Sequence, residues 1–445
     1  MKSLPTIILL VLLTCCARTQ TLESLFDFSA DTVGVSPYTQ LVEGPGNLLY
    51  GETFNGRGNS FGTVFAIKTD GTGFTNLFSF NDNDGAFPLG GVTLSGNTLY
   101  GTVEQGGSNG IGTVFAIDTD STGFTNLYNF SGPDGSLPEA NLALSGNTLY
   151  GTTLGGGSNG LGTVFAINTD GTKFSTLHQF SGPDGGGPRG GLIVSGSTIY
   201  GVTYGGGTDG DGTVFSIQTD GDRFTNLYSF HGYDGYWPEG SLVLSGSMLF
   251  GATLQGGIFD SGNVFGLRTD GTGFTNMYTF TGKQDGGNPP AGLVVYGHTL
   301  YGTASAGGSN NWGTIYAINT DSTGFTNVYD FTGGADGGAP EAGLLLISNV
   351  LYSTTQHGGT NSDGTIFRLT LPAPLPPPTL TLHFIANALI IAWPSSATGY
   401  SLMSATSLTS PGGWSVVTNI PVVVNGLNTV TNAISGQQIF YYLAK

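Results

Sequence analysis

The sequence predicts an all-β protein: a seven-bladed β-propeller closed by an N-terminal strand, followed by a small β-sandwich. Three observations carry that expectation. A motif of the form Gly-Thr-Val-Phe-Ala-Ile returns seven times, at a spacing of 50 or 51 residues. Glycine supplies 77 of 445 residues with no Gly-X-Y period, which points to many tight turns and excludes collagen. The two ends of the repeat array carry complementary fragments of one repeat.

The motif starts at Gly62, Gly112 and Gly162, with variants at Gly212, Gly262, Gly313 and Gly364. Each period holds four short apolar segments. In the fourth they are Gly191–Ser195, Thr198–Thr203, Gly212–Ile217 and Phe224–Phe230. Alternation and β-branched or aromatic content mark each as a strand. Gly, Ser, Asn and Asp clusters between them are turn chemistry. Four antiparallel strands in about 50 residues make one propeller blade, with a period close to that of kelch repeats. The last repeat, Ala342–Leu369, has three strands, and a lone copy of the missing fourth, Leu22–Phe28, sits at the N-terminus. That strand should complete the seventh blade and remove a sheet edge. An open β-solenoid is the alternative, and it would not leave complementary ends.

Strings such as Gly162-Thr163-Val164-Phe165-Ala166-Ile167-Asn168-Thr169-Asp170-Gly171 and Leu149-Tyr150-Gly151-Thr152-Thr153 resemble the GloVer tandem-repeat family of bacterial exported proteins, over about Leu22 to Leu369. The resemblance implies export and repeat architecture. It implies little about activity, since the family is largely without one assigned.

Before the repeats, Met1–Thr14 carries Lys2 and then an apolar run, Ile7–Leu13, as in a secretory signal ending near residue 19. Cys15 and Cys16 allow a lipoprotein reading, but Thr14 precedes them and the lipobox fit is poor. They are the only cysteines, so a disulfide framework and a thiolate metal site are excluded. With 29 acidic against 11 basic residues, the net charge of −18 argues against nucleic acid and anionic lipid as partners. A secreted or cell-envelope monomer is expected, without a transmembrane segment in the mature chain. Its partner would be a polysaccharide or a cell-surface protein.

After the repeats, residues 372–378 read as a stiff polyproline linker. Residues 379–445 read as about seven short strands, a fibronectin-III-like β-sandwich with Trp393 in its core. The resemblance also brings variable C-terminal sorting signals, but no apolar helix with a basic cluster ends this chain. The tail is expected to be a spacer or surface-attachment module.

Residues repeated in every blade are read as structural. The Asp of Thr-Asp-Gly (Asp70, Asp120, Asp170, Asp220, Asp270, Asp321) should accept backbone N–H bonds in a tight turn. A second set (Asp84, Asp134, Asp184, Asp234, Asp285, Asp336) is similar. Asp82-Asn83-Asp84-Gly85 looks like part of a calcium loop but lacks the later bidentate Glu, so no cofactor is assigned and weak calcium stays open.

Strand parity puts the longer Gly-Gly loops and the Asp-Gly-x-x-Pro loops on one face, where departures from symmetry suggest function. The candidate ligand-binding residues are Tyr204, Asp209, Tyr233, Tyr236, Trp237, Glu239, Trp312 and His357. Flat rings stack on sugar C–H faces and carboxylates accept hydroxyl bonds, so the expectation is a non-catalytic binding or scaffold protein taking extracellular polysaccharide, with a structural cell-envelope protein that binds no small ligand as the main alternative. The bland alternative is that these aromatics plug gaps between blades. No catalytic residue is assigned: the histidines lack metal-ligand spacing, and no nucleophile elbow or phosphate loop is present. Glu139, Glu239 and Glu341 each follow a proline, so glycoside cleavage by paired carboxylates is an alternative. Ring geometry argues that acids two blades apart stand too far from each other to act together.

Overall fold

The computed structural model describes residues 20–29, 34–56, 61–372, 379–385, 388–395, 400–405, 415–433 and 439–444. The predicted signal segment 1–19, Arg57, most of the proline linker and Trp414 lie outside them. The chain divides into two compact units, Met1–Pro372 and Ala373–Lys445.

The first unit is built of repeated four-stranded antiparallel sheets, propeller-like in plan, and the described residues contain no helix. Sheet 1 comprises Val42–Gly44, Leu48–Thr53, Thr63–Lys68 and Thr75–Ser79 in simple meander order. Sheets 2 to 6 repeat it over residues 93–129, 143–179, 193–229, 243–279 and 294–330. Sheet 7 takes three strands from 345–370 and its fourth, Leu22–Asp27, from the N-terminus.

The N-terminal strand is a true fourth strand. In every other sheet the outermost pairing slips by one residue, as at Val114/Phe115, and Leu22–Asp27 shows the same slip between Ser24 and Phe26. Phe28 then meets Phe65 of sheet 1 edge-on at 5.5 Å. Phe130 meets Phe165, and Phe230 meets Phe265, in the same way at 5.3 and 5.1 Å. Seven apolar clusters fill the seven inter-sheet spaces, and one of them joins sheet 7 to sheet 1 through Phe28, Tyr352, Leu49 and Phe65.

In sheets 1 to 5 the Gly of the Leu-Tyr-Gly strand lies opposite that core Phe, and in sheet 6 Gly302 faces Tyr316. A Cβ at Gly101 would stand 2.5 Å from the Phe115 ring, so the ring lies directly on backbone. The first strands are shorter than the alternation suggests. Gly191 belongs instead to the preceding loop, its N–H donating to Ser241 of the next sheet at 3.0 Å, and the strand begins at Ile193.

Both repeated Asp sets are turn residues. Asp70, Asp120, Asp170, Asp270 and Asp321 accept the N–H of the Thr two residues on at 2.9–3.0 Å. Asp134, Asp184 and Asp234 accept the N–H three residues back at 2.7–2.8 Å. Tyr128 and Tyr228 donate to the same carboxylates, and His178 replaces the Tyr in sheet 3.

The second unit has a four-stranded sheet (Thr381–Ile385, Ala388–Pro394, Leu427–Ala433, Val422–Val424) and a three-stranded one (Ser415–Val416, Ser401–Ala405, Phe440–Ala444). Ile391, Trp393 and Val430 of the first pack with Leu402 of the second. Trp393 is buried, the packing role its sequence context suggests.

Candidate functional site

The loops sort onto faces as strand parity requires. Each Asp-Gly-x-x-Pro loop bridges to the Gly-Gly loop beside it, as in Ser136 with Gly155 and Tyr236 with Gln255. The residue before each proline is forced into the left-handed region, with φ +61° at Phe87 and +60° at Trp237. The residue after each proline turns toward the centre. Tyr38, Leu89, Glu139, Arg189, Glu239, Pro290 and Glu341, one per sheet, line a single cavity of about 100 Å³. One repeat position therefore builds the whole axial ring.

Arg189 organises that ring. Its Nη1 donates to Glu239 at 2.9 Å and its Nε lies 3.4 Å from Glu139. Glu139 and Glu239 sit two sheets apart yet reach one guanidinium, so the expectation that such acids stand too far apart to act together is corrected. Burial pushes Glu139 up to about 7 against the pull of Arg189, and Glu239 rises for the same reason. Burial also pushes Glu341 up to about 7, helped by Glu239 and opposed by Ser305. Burial works to lower Arg189, but its two carboxylate partners outweigh that and raise it.

The aromatic candidates adjoin the ring. Arg189 lies over the Tyr204 ring at 4.9 Å, and Tyr204 stacks on Trp237 at 5.1 Å with planes 14° apart. Tyr236 meets Trp237 edge-on at 4.9 Å and donates to Asp260, which raises its hydroxyl to about 12. Tyr204, Trp237 and Glu239 thus form one continuous surface with the axis.

The other candidates are not brought to it. Asp209 pairs with His231 at 2.6 Å farther out and raises the imidazole, and Tyr233 is 83% exposed. Trp312 lies against Gly333 and Gly338, where Ile111 and Leu161 cover Gly132 and Gly182 in earlier sheets. Trp312 stays 41% exposed there, lying on loop glycines. His357 sits edge-on to it at 6.4 Å.

Two residues lie outside the candidate set. Arg189 departs from repeat symmetry at the post-proline position that Glu139 and Glu239 also hold, and that shared position is the signal. Glu52 is fully buried where other sheets carry Thr102, Thr152 or Ala252. Its Oε2 accepts the Gly91 N–H at 2.9 Å and its Oε1 has no hydrogen-bond partner. Among the described residues, no three His, Cys, Asp or Glu side chains converge so as to hold a metal ion, and no helix is long and apolar enough to cross a membrane.

The repeats decide the family. A model of the Gloeobacter/Verrucomicrobia repeat matches residues 11–152, 138–298 and 283–383. The chain belongs to the Gloeobacter/Verrucomicrobia repeat family. No curated protein sequence matches it. Among solved structures it is similar to an oligogalacturonate lyase in complex with manganese, at 12% identity and TM-score 0.51, over 80% of this chain and 94% of that one. An oligogalacturonate lyase from Vibrio parahaemolyticus gives 11% and 0.51 over 80% and 97%. A putative 6-phosphogluconolactonase from Bacteroides uniformis gives 14% and 0.47 over 89% and 98%. At such identities the likeness concerns the fold alone.

Proposed function

We propose that this member of the repeat family is an exported, non-catalytic binding module. In this reading a seven-bladed propeller takes a neutral extracellular polysaccharide on its long-loop face, and a fibronectin-III-like tail serves as spacer or attachment. The observation that carries the reading is the half-exposed Tyr204–Trp237 stack beside the Arg189–Glu239 pair. Immobilised flat rings next to charged hydrogen-bonding groups match the two faces of a sugar, apolar C–H and polar hydroxyl. Charge narrows the class. Three axial acids against one arginine, on a chain of net −18, disfavour a polyanion such as oligogalacturonate.

A second reading, a polysaccharide-cleaving enzyme, is favoured by Glu139 and Glu341. Carboxyls raised to about 7 hold a proton near neutrality, as a general acid must. The binding reading is preferred because Glu139 and Glu239 are both engaged by Arg189.

Thermal unfolding of the secreted chain against neutral polysaccharides tests this. Binding to the folded state alone should raise the melting temperature with ligand concentration. Trp237→Ala should abolish the rise. New reducing ends in the same mixtures would move the assignment to the enzyme. A cooperative melt that no polysaccharide shifts would favour a structural cell-envelope role.

A further inference from the structure

The Tyr204–Trp237 stack has a counterpart. Phe54 follows the second strand of sheet 1 as Tyr204 follows that of sheet 4, and Phe87 precedes its proline as Trp237 does. Phe54 and Phe87 stack at 4.9 Å with planes 28° apart, and both are half-buried. The backbones match as well. Phe87 accepts the Glu104 N–H at 3.1 Å, and Trp237 accepts the Leu254 N–H at 3.0 Å. The other junctions hold no aromatic pair there; Leu154 with Gly187 and Ser305 with Ala339 are typical. The two stacks occupy the sheet 1–2 and sheet 4–5 junctions, nearly opposite each other in a ring of seven sheets.

Each stack is also tied to the axis by a ring residue. Tyr38 lines the central cavity and meets Phe54 edge-on at 5.5 Å. Arg189 lines it on the other side and covers Tyr204 at 4.9 Å. Phe87, Phe54, Tyr38, Arg189, Tyr204 and Trp237 thus form a track of flat groups from one side of the face to the other, with the acids at its middle. Periodic packing does not explain it, since most junctions pack without such a pair.

Resting on the polysaccharide reading above, we propose that the ligand is an extended glycan chain lying across the axis, with one stretch on each stack. A short oligosaccharide would engage one stack only. A long chain binding the second stack does so at high effective concentration, so length should raise affinity steeply.

The test is affinity electrophoresis of the full secreted chain in gels containing xyloglucan, galactomannan or laminarin, with tetrasaccharides of the retarding polymer as competitors. The variants are Phe87→Gly and Trp237→Gly. Glycine suits the left-handed backbone at both positions, as Gly187 does natively at φ +61°, so folding is spared. Melting temperatures check that. We expect each variant alone to lose about tenfold or more in affinity for the polymer, and tetrasaccharides to compete poorly. Loss in Trp237→Gly with full binding by Phe87→Gly, or equal affinity for tetrasaccharide and polymer, overturns the crossing chain and leaves the single-shelf reading standing. No retardation of the wild-type chain by any polymer overturns both.

Discussion

Glu52 shows how one substitution in a repeat changes the physics of a joint. Its neighbours in the pattern are small and neutral, and Thr102 Oγ1, for instance, donates to the carbonyl of Ala140 in the next sheet at 3.1 Å. Glu52 keeps the same reach across the joint by accepting from Gly91 instead, and buries a carboxyl to do so. Burial pushes that group up to about 8, against the opposing Gly91 bond. The folded chain then binds the proton more tightly than the unfolded one. This contribution to stability is complete below the ordinary value of 4.5 and is lost as pH rises through about 8. Glu139 and Glu341 act in the same direction up to about 7. Denaturant midpoints should therefore fall between about pH 5 and about pH 8. Glu52→Gln should flatten the decline. An unchanged slope in that variant would show that Glu52 does not hold the proton. The residue was visible in the sequence as the one charge in the Leu-Tyr-Gly strands. Its burial was not, because it depends on the neighbouring sheet.

At the scale of elements, Leu22–Asp27 decides whether the array has free edges. It pairs along the third strand of sheet 7 from Leu22–Leu369 to Asp27–Thr365, and Arg368 clamps Glu23 at 2.6 Å. Phe28 is fully buried, like Phe130 in the corresponding place after sheet 2. Phe28→Ala and Phe130→Ala should then cost similar stability, about 3–5 kcal/mol each, since each empties an inter-sheet core. Chemical denaturation of the two variants compares them directly. A Phe28→Ala cost near zero would mean the closing strand is a loosely held tail. The pairing was readable from the sequence as a missing strand at one end and a spare at the other. The short first strands were less readable, because a chain cannot tell which of its residues a neighbouring loop will claim.

Over the whole molecule, charge is divided unevenly. All 29 acidic residues precede the proline run, and residues 379–445 hold no Asp, Glu or Arg and a single Lys, Lys445. Self-repulsion therefore burdens the sheet-repeat unit. Raising ionic strength from about 0.01 M to about 0.15 M shortens the screening length from about 30 Å to about 8 Å and should raise its melting temperature. A calorimetric scan that is flat or falls with salt would show that specific pairs outweigh the net field. The sequence by itself determined the repeat, its strands, the Asp turns, the closing strand and the face that carries the irregular loops. These follow from period, alternation and turn chemistry, which are local. Only the tertiary structure decided that the seven post-proline residues share one cavity, that Arg189 joins acids two sheets apart, and that Phe54–Phe87 answers Tyr204–Trp237 across the axis. Those relations arise when the ring closes and residues from about 50 to about 300 positions apart in the chain become neighbours or opposites.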